Sequence, residues 1–296
     1  MKNKSIFQGV ATALVTPTTA QGVDYEALGR LLDWQVAEGV NGLVIAGTTG
    51  EGSTLSEEEK KSVISYSIEK VAGRVPVIAG TGSNNTEHCI EMSRWASAEG
   101  ADGLLVVTPY YNKSTQAGLV KMYETIADAA TAPLIVYNVP SRTGVSIAPE
   151  TYARMADHGN ISAIKEANGD ISAIAETIRL LEGRMDVLSG NDDQTVAMMS
   201  LGAKGVISVL SNIMPKATAE MCSLALKGDF SAAASMQLKF LPLIHALFCE
   251  VNPIPVKAAM AAMGWCEDYV RLPLVNMTEG NKTKMLDLMR AQNLIA

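Results

Sequence analysis

The chain has 296 residues, a formal net charge of −7, 48% hydrophobic residues and few aromatic ones. This length suits one α/β barrel or two smaller domains, and the acidic balance predicts neither a nucleic-acid surface nor a membrane surface. Small-molecule partners are therefore expected. The four cysteines are widely spaced and the three histidines lie apart, which argues against a structural zinc site or a disulfide framework and favours the reduced cytosol. No apolar run reaches the length of a membrane span.

Short β-branched runs alternate with longer amphipathic stretches, a pattern typical of βαβ units around a parallel sheet. The first apolar run is too interrupted for a signal peptide and is interpreted as a strand. Asp24 is predicted to cap one helix, and Ser56 with Glu59 to form a capping box at another. Eight strands are predicted, at residues 7–16, 42–48, 76–80, 103–108, 133–138, 161–167, 186–190 and 205–209.

A weak internal repeat supports this alternation. AEGVNGLVIAGT, from Ala37, and AEGADGLLVVTP, from Ala98, both read as a helix end, a glycine turn and a buried strand. Eight units would close a barrel, whereas an open dinucleotide-binding sheet lacks its G-x-G-x-x-G fingerprint here. We therefore predict a (β/α)8 TIM barrel over residues 1–225, with an appended C-terminal helical segment, 226–296, packed on it.

The predicted sixth strand, ISAIKEA, places Lys165 in the middle of an apolar run. Alternation puts Ile161, Ala163, Lys165 and Ala167 on one face, where the alanines leave space. The strand could lie at a sheet edge, with the lysine stem snorkelling to solvent. Alternatively the lysine is desolvated, which lowers its pKa and makes the neutral amine a nucleophile.

Other polar residues follow the ends of neighbouring strands, where such barrels place their active sites. The turn GTTGEGST, from Gly47 to Thr54, is rich in glycine and hydroxyls and leads into a helix. Its backbone N–H groups and the helix dipole could bind a carboxylate or phosphate, although the same residues also suit an ordinary turn. The turn is not a P-loop, because it lacks the G-K-[ST] ending.

Aromatic and basic residues follow the next strands. Tyr110 and Tyr111 lie after strand four and must point in different directions, so one of them can pack at an interface. Tyr137, in strand five, is expected to point into the barrel with Lys165 as the candidate partner of its hydroxyl. Arg142 could hold a carboxylate through its bidentate fork, or it could be a solvated loop residue.

Together these residues suit Schiff-base chemistry on a keto acid. They supply an amine that can lose its proton, a phenol beside it and two groups that bind anions. An amine condenses with a ketone, and the iminium then serves as an electron sink. Such a reaction needs neither a metal nor an organic cofactor, and we expect none.

With these motifs the sequence resembles the dihydrodipicolinate synthase family, within the wider N-acetylneuraminate lyase group of class I aldolase-like barrels. The resemblance spans nearly the whole chain and rests on GTTGE, YYNK, YNVPSRTG, IKEA, SGND and NPIPVK. It implies a lyase of diaminopimelate and lysine biosynthesis that condenses pyruvate with L-aspartate 4-semialdehyde. It further implies a cytoplasmic homotetramer built as a dimer of dimers.

The resemblance also implies residue roles. Lys165 would form the imine with pyruvate, and Thr48 and Thr49 would receive its carboxylate. Thr48, Tyr137 and Tyr111 would relay protons, with Tyr111 reaching in from a neighbouring subunit. Arg142 would bind the semialdehyde carboxylate, and the pocket would be lined by the backbone at Gly190 and Ile207.

A possible allosteric site follows from the same resemblance. Inhibited members of the family hold lysine at a dimer interface, and Asn84 and Tyr110 match that pattern. Glu57 and Lys60 stand where the pattern has histidines, and His88 stands where it has a glutamate. These departures predict weak or absent feedback by L-lysine.

Two alternatives stay open at this stage. The same barrel and lysine could cleave sialic acid or another sugar-derived 2-keto acid, although Arg142 better suits a second carboxylate. A barrel kept only for binding or assembly is the other alternative. It is disfavoured because a protein without turnover has no chemical need for a costly lysine in an apolar strand.

Overall fold

In the computed structural model, which describes residues 5–296, eight parallel strands form a closed barrel. Each strand pairs with its neighbours in chain order, and the first closes the ring against the eighth, with Ala11 opposite Ile207. The predicted (β/α)8 barrel is confirmed. The strands are Gly9–Ala13, Gly42–Ile45, Val77–Gly80, Gly103–Val107, Leu134–Asn138, Ile161–Glu166, Asp186–Ser189 and Gly205–Ser208.

One helix follows each strand and covers the outside of the barrel. The predicted caps are present: Asp24 accepts from the Ala27 N–H, and Ser56 and Glu59 form a reciprocal capping box. The eight helices are Tyr25–Ala37, Glu57–Val71, Thr86–Glu99, Gln116–Ala129, Pro149–Met155, Ile171–Leu181, Thr195–Ser200 and Pro215–Leu226. Three single turns, Pro140–Thr143, Asp192–Gln194 and Leu210–Asn212, lie in the loops after strands five, seven and eight.

The first strand is shorter than predicted. Leu14 and Val15, beyond its end, are apolar and buried, but the Val15 N–H leaves the barrel ladder and donates to Asn212 Oδ1 at 3.0 Å. A small antiparallel hairpin follows, pairing Thr18–Thr19 with Gly22–Val23. Strands of two residues are too short to produce an alternating pattern, so the sequence did not predict this hairpin.

The barrel interior is packed by side chains from alternate strands, as expected of a small barrel. This inner cluster contains Ala11, Val44, Ile78, Leu105, Ile135, Tyr137, Ala163, Leu188 and Ile207. A larger cluster lies between the strands and the helices. Burial of the aliphatic side chains in these clusters stabilises the fold by about 1.5 to 3 kcal/mol each.

The expectation that Ile161 shares the face of Lys165 is wrong. Ile161 packs in the outer cluster, whereas Ala163 packs inside the barrel. The cause is an irregularity in strand pairing: Leu134 pairs with Ile161, but the next residue, Ile135, pairs with Ala163. The extra residue shifts the alternation, as a β-bulge does.

Three further helices, Phe230–Ala246, Ile254–Ala262 and Glu279–Ala291, form the C-terminal segment. They share an apolar cluster with Leu31 and Leu210 of the barrel. The rings of Trp34 and Trp265 also stack, with centroids 4.4 Å apart. The division at residue 225 stays a proposal. Within residues 5–296 no helix has both the length and the hydropathy needed to cross a bilayer.

Candidate active site

A cavity of about 170 Å³ opens at the carboxyl ends of the barrel strands. Six of the predicted site residues line it, namely Thr48, Thr49, Tyr137, Arg142, Lys165 and Gly190. It is smaller than most drug-sized ligand pockets and suits a small organic acid. Among residues 5–296, no cluster of three His, Cys, Asp or Glu side chains could hold a metal ion.

Lys165 reaches this cavity from the interior of the sixth strand and is 6% exposed. Because the barrel is closed, the strand has no free edge, and the snorkelling interpretation is wrong. Burial lowers the pKa of Lys165 to about 7; the charge of Asp192 opposes this shift and that of Arg142 adds to it. About half of the amine is then neutral at pH 7, against roughly one part in 3,000 at the ordinary pKa.

Tyr137 stands directly beside Lys165, because the two residues are paired across strands five and six. The lysine Nζ lies 4.3 Å from the centroid of the tyrosine ring. The expected hydroxyl partner was Lys165, but the lysine lies against the face of the ring, and Thr48 lines the same cavity as the phenol. Burial raises the pKa of Tyr137 to about 12, although Arg142 and Thr48 oppose the shift. The phenol therefore keeps its proton at neutral pH and can donate it.

The turn after strand two lines the cavity with Thr48 and Thr49. Within residues 5–296 the N–H groups of Thr48 and Thr49 donate to no other protein group. The expected contribution of the following helix is wrong, since that helix begins only at Glu57 and its capping box already binds the N–H groups of Ser56 and Glu59. The cavity is lined by Thr48 and Thr49 of the turn and by no residue of that helix.

Asn252, from the C-terminal segment, joins two of the predicted residues. Its side-chain Nδ2 donates to Thr49 Oγ1 at 3.0 Å, and its backbone carbonyl oxygen accepts from Arg142 Nη2 at 3.1 Å. Arg142 is exposed at the rim of the cavity. Sequence reasoning assigned no role to Asn252, and its only signal was its place in the motif NPIPVK.

Asp192 is a second residue that sequence reasoning missed. It is 3% exposed, and its Oδ2 accepts from the N–H groups of Val209 and Leu210 at 2.9 and 3.0 Å. Its Oδ1 is buried and has no protein partner within residues 5–296. Burial raises the pKa of Asp192, and the charge of Lys165 opposes this rise. The carboxylate is thus an electrostatic partner of the amine.

Glu166, next to Lys165 in the sixth strand, is bonded to Asn138 of the fifth strand. It accepts from the Tyr152 hydroxyl at 2.7 Å, from Asn138 Nδ2 at 2.9 Å and from the Asn168 N–H at 2.9 Å. Burial raises the pKa of Glu166 to about 7, although these donors oppose the shift. Since Asn138 follows Tyr137 and Glu166 follows Lys165, the contact holds the two inward side chains side by side.

A larger cleft of about 470 Å³ adjoins the cavity and shares Thr48, Tyr137 and Arg142 with it. The possible allosteric residues Glu57, Lys60, His88 and Tyr110 line this cleft. Asn84 is held beside it by a hydrogen bond from its Nδ2 to the Tyr110 carbonyl, at 3.2 Å.

Two predicted residues stand apart from the cavity. Tyr111 is 93% exposed, and its φ of +70° lies in the left-handed region. Ile207 is 1% exposed and packs in the inner apolar cluster, while Val209 further along the same strand end lines the cavity.

Known proteins resemble this chain in both sequence and fold. Residues 6–292 match the model of the dihydrodipicolinate synthetase family. The chain is 52% identical to a 4-hydroxy-tetrahydrodipicolinate synthase of Geobacter sulfurreducens, over 98% of this chain and all of the relative. It also resembles the chloride-inhibited dihydrodipicolinate synthase of Acinetobacter baumannii in complex with pyruvate, at 44% identity and a TM-score of 0.96 over 98% of this chain and all of that one. A monomeric dihydrodipicolinate synthase variant matches at the same identity and TM-score, over 98% of each chain.

Proposed function

Since the chain belongs to the dihydrodipicolinate synthetase family, we propose that it condenses pyruvate with L-aspartate 4-semialdehyde through an imine on Lys165. The activity is that of a 4-hydroxy-tetrahydrodipicolinate synthase, a class I aldolase-type lyase of diaminopimelate and lysine biosynthesis. The observation that carries the site assignment is the desolvated Lys165 beside Tyr137 and Thr48 in a small cavity. The alternative lyase acting on sugar-derived keto acids is not favoured by these relatives.

The first step uses the neutral amine. Lys165 Nζ attacks the ketone carbon of pyruvate, and loss of water leaves an iminium that draws electrons from the adjacent methyl carbon. Loss of a proton there gives the enamine nucleophile. The protonated Tyr137 hydroxyl, with Thr48 in the same cavity, would pass protons to and from these intermediates.

The carboxylate of pyruvate would lie in the turn after strand two. The free N–H groups of Thr48 and Thr49 are suitable donors, and two such hydrogen bonds to an anion give both affinity and orientation. This contact would hold the ketone carbon against Lys165, which is the positional part of the catalysis.

The semialdehyde would enter by the rim. Arg142 is exposed to solvent, lines both cavities and is held by Asn252, so its remaining donors are available to a carboxylate. The enamine carbon attacks the aldehyde carbon, and the substrate's own amino group can then displace the lysine and close the ring.

The assembly that we propose is a homotetramer in the cytoplasm, built as a dimer of dimers. Tyr111 supports it, because a tyrosine that is 93% exposed in a left-handed conformation is better explained by a contact outside its own chain. In the dimer Tyr111 would complete the proton relay of the neighbouring site.

Two further residues would shape the pyruvate pocket. Gly190 lines the small cavity, and Ile207 packs in the apolar cluster inside the barrel.

Reductive trapping tests the proposal. The protein is incubated with pyruvate, treated with borohydride and digested, and the modified residue is located by mass spectrometry. We expect a single adduct on Lys165, no adduct in Lys165→Ala, and turnover only when the semialdehyde is added. An adduct on a different lysine, or full labelling of Lys165→Ala, would refute the assignment.

A further inference from the structure

Glu51, three residues after Thr48, forms a buried ion pair with Lys257 of the C-terminal segment. Their Oε1 and Nζ atoms are 2.6 Å apart, and the side chains are 2% and 0% exposed. Lys257 Nζ also donates to Thr18 Oγ1 at 2.7 Å, and Glu51 Oε2 accepts from the Arg271 N–H at 3.1 Å. Neither residue lines either cavity, so neither is placed to touch a substrate.

Stability alone does not account for this pair. Removing two charges from water is expensive, and apolar residues of similar volume commonly stabilise a core as well or better. A buried ion pair does fix geometry, because its partners can meet in only a few arrangements.

The pair holds the turn that bears Thr48 and Thr49. The backbone of Glu51 has a φ of +54°, and its N–H donates to the Thr48 carbonyl at 3.1 Å. The Glu51 carbonyl in turn accepts from the N–H of Thr54 at 2.9 Å and from its hydroxyl at 3.1 Å. Fixing the Glu51 side chain therefore fixes the backbone of the turn whose residues Thr48 and Thr49 line the cavity.

We propose that the Glu51–Lys257 pair is a positioning device that orients the carboxylate cradle for pyruvate. This inference rests on the proposed function. The pair acts through the backbone at Thr48 and Thr49, whereas Arg142 donates to the Asn252 backbone carbonyl and bonds to neither Glu51 nor Lys257. Its loss should therefore weaken the use of pyruvate and leave the binding of the aldehyde substrate nearly unchanged.

The test removes both charges together, so that no unpaired charge stays buried. In Glu51→Gln/Lys257→Met we expect the pyruvate concentration for half-maximal borohydride trapping, and the KM for pyruvate, to rise at least about tenfold. The KM for the semialdehyde should change by less than about twofold. Glu51→Asp keeps the charge on a shorter side chain. It should raise the KM for pyruvate by a smaller factor and again leave the KM for the semialdehyde nearly unchanged. This variant provides the test if the double variant fails to fold.

Asp268→Asn is the matched control. Asp268 pairs with Lys282 at 2.7 Å in the same C-terminal segment but makes no contact with the turn. We expect this change to lower the unfolding temperature slightly and to leave both KM values unchanged. Equal changes in both KM values of the Glu51 variants, or no change in a folded variant, would overturn the positioning role. Failure of the unaltered protein to be trapped on Lys165 would instead overturn the proposed function.

Discussion

Two lysines in the described part of the chain are buried, and their surroundings give them opposite chemistry. Lys257 is completely buried, but its ammonium meets the Glu51 carboxylate and the Thr18 hydroxyl. Lys165 faces a cavity, with the ring of Tyr137 beside it and a carboxylate, Asp192, acting on it electrostatically. A lysine held by a carboxylate and a hydroxyl has a structural role, whereas a desolvated amine that faces a cavity is available as a nucleophile.

The rate of imine formation should depend on pH through Lys165. Only the neutral amine attacks, so the rate should fall about tenfold for each pH unit below the Lys165 pKa of about 7. The Asp192 charge stabilises the ammonium and raises that pKa. Asp192→Asn should therefore lower the pKa and move the acidic limb of the trapping rate to lower pH.

The control for this profile is Asp193→Asn, because Asp193 is the next residue and is exposed. Its acidic limb should coincide with that of the unaltered protein. A shift of the Asp192→Asn limb to higher pH would contradict the electrostatic role that we assign to Asp192.

Arg142 should act on the aldehyde step. Arg142→Ala removes a charge-assisted contact, and we expect a penalty of roughly 2 to 4 kcal/mol in kcat/KM for the semialdehyde. Trapping of pyruvate should survive when it is measured above the Lys165 pKa. Arg179→Ala, an exposed arginine paired with Glu176, is the control and should match the unaltered protein. Unchanged semialdehyde kinetics in Arg142→Ala would remove this residue from the site.

At the scale of elements, the sequence predicted the strands and helix ends that are marked by a pattern of nearby residues. Alternation located all eight barrel strands, and the box of Ser56 and Glu59 located a helix start. The side on which Ile161 packs was not predictable, because the irregular pairing that turns it outward depends on the neighbouring strand. Asn252 and Asp192 were missed for a similar reason: their partners are distant in sequence, and no local pattern announces such contacts.

Two elements, the helices Glu57–Val71 and Thr86–Glu99, bring Glu57, Lys60 and His88 to the larger cleft. We predict weak or absent inhibition by L-lysine, whose side-chain ammonium would meet Lys60 there. Two cations about 4 Å apart repel by roughly 1 kcal/mol in water and about 4 kcal/mol at a partly buried surface. Glu57 offers little compensation, because Lys61 already pairs with it at 2.5 Å.

Initial rates with lysine from micromolar to tens of millimolar check this prediction. Affinity should be about tenfold to a thousandfold weaker than in an inhibited family member, and half-inhibition below about a millimolar would show that the prediction is wrong. The matched variant Glu57→His/Lys60→His/His88→Glu restores the charges of the inhibited pattern. We expect it to gain sensitivity to lysine.

At the scale of the whole molecule, activity should depend on contact between subunits. Tyr111→Phe and Lys165→Ala should each be inactive or nearly so when assayed alone. In a symmetric dimer that shares Tyr111, a mixed pair has one complete site, so equal mixing after dissociation should restore about a quarter of the full activity. Sedimentation gives the assembly state of each sample. A fully active monomer, or mixtures that stay inactive although hybrid dimers form, would refute the shared site.

The turn that carries Thr48 and Thr49 takes its partners from the far end of the chain. Its contacts with Asn252, Lys257 and Arg271 span 203, 206 and 220 residues of sequence. A ribosome adds about 5 to 20 residues each second, so these partners are made roughly 10 to 40 s after the turn itself. A nascent chain that has completed its eighth strand already contains Lys165, but its turn has none of these partners. If the turn binds the keto acid as we propose, the reactive amine is made well before the partners that hold that turn, and we expect the site to be complete only after the C-terminal segment has been synthesised.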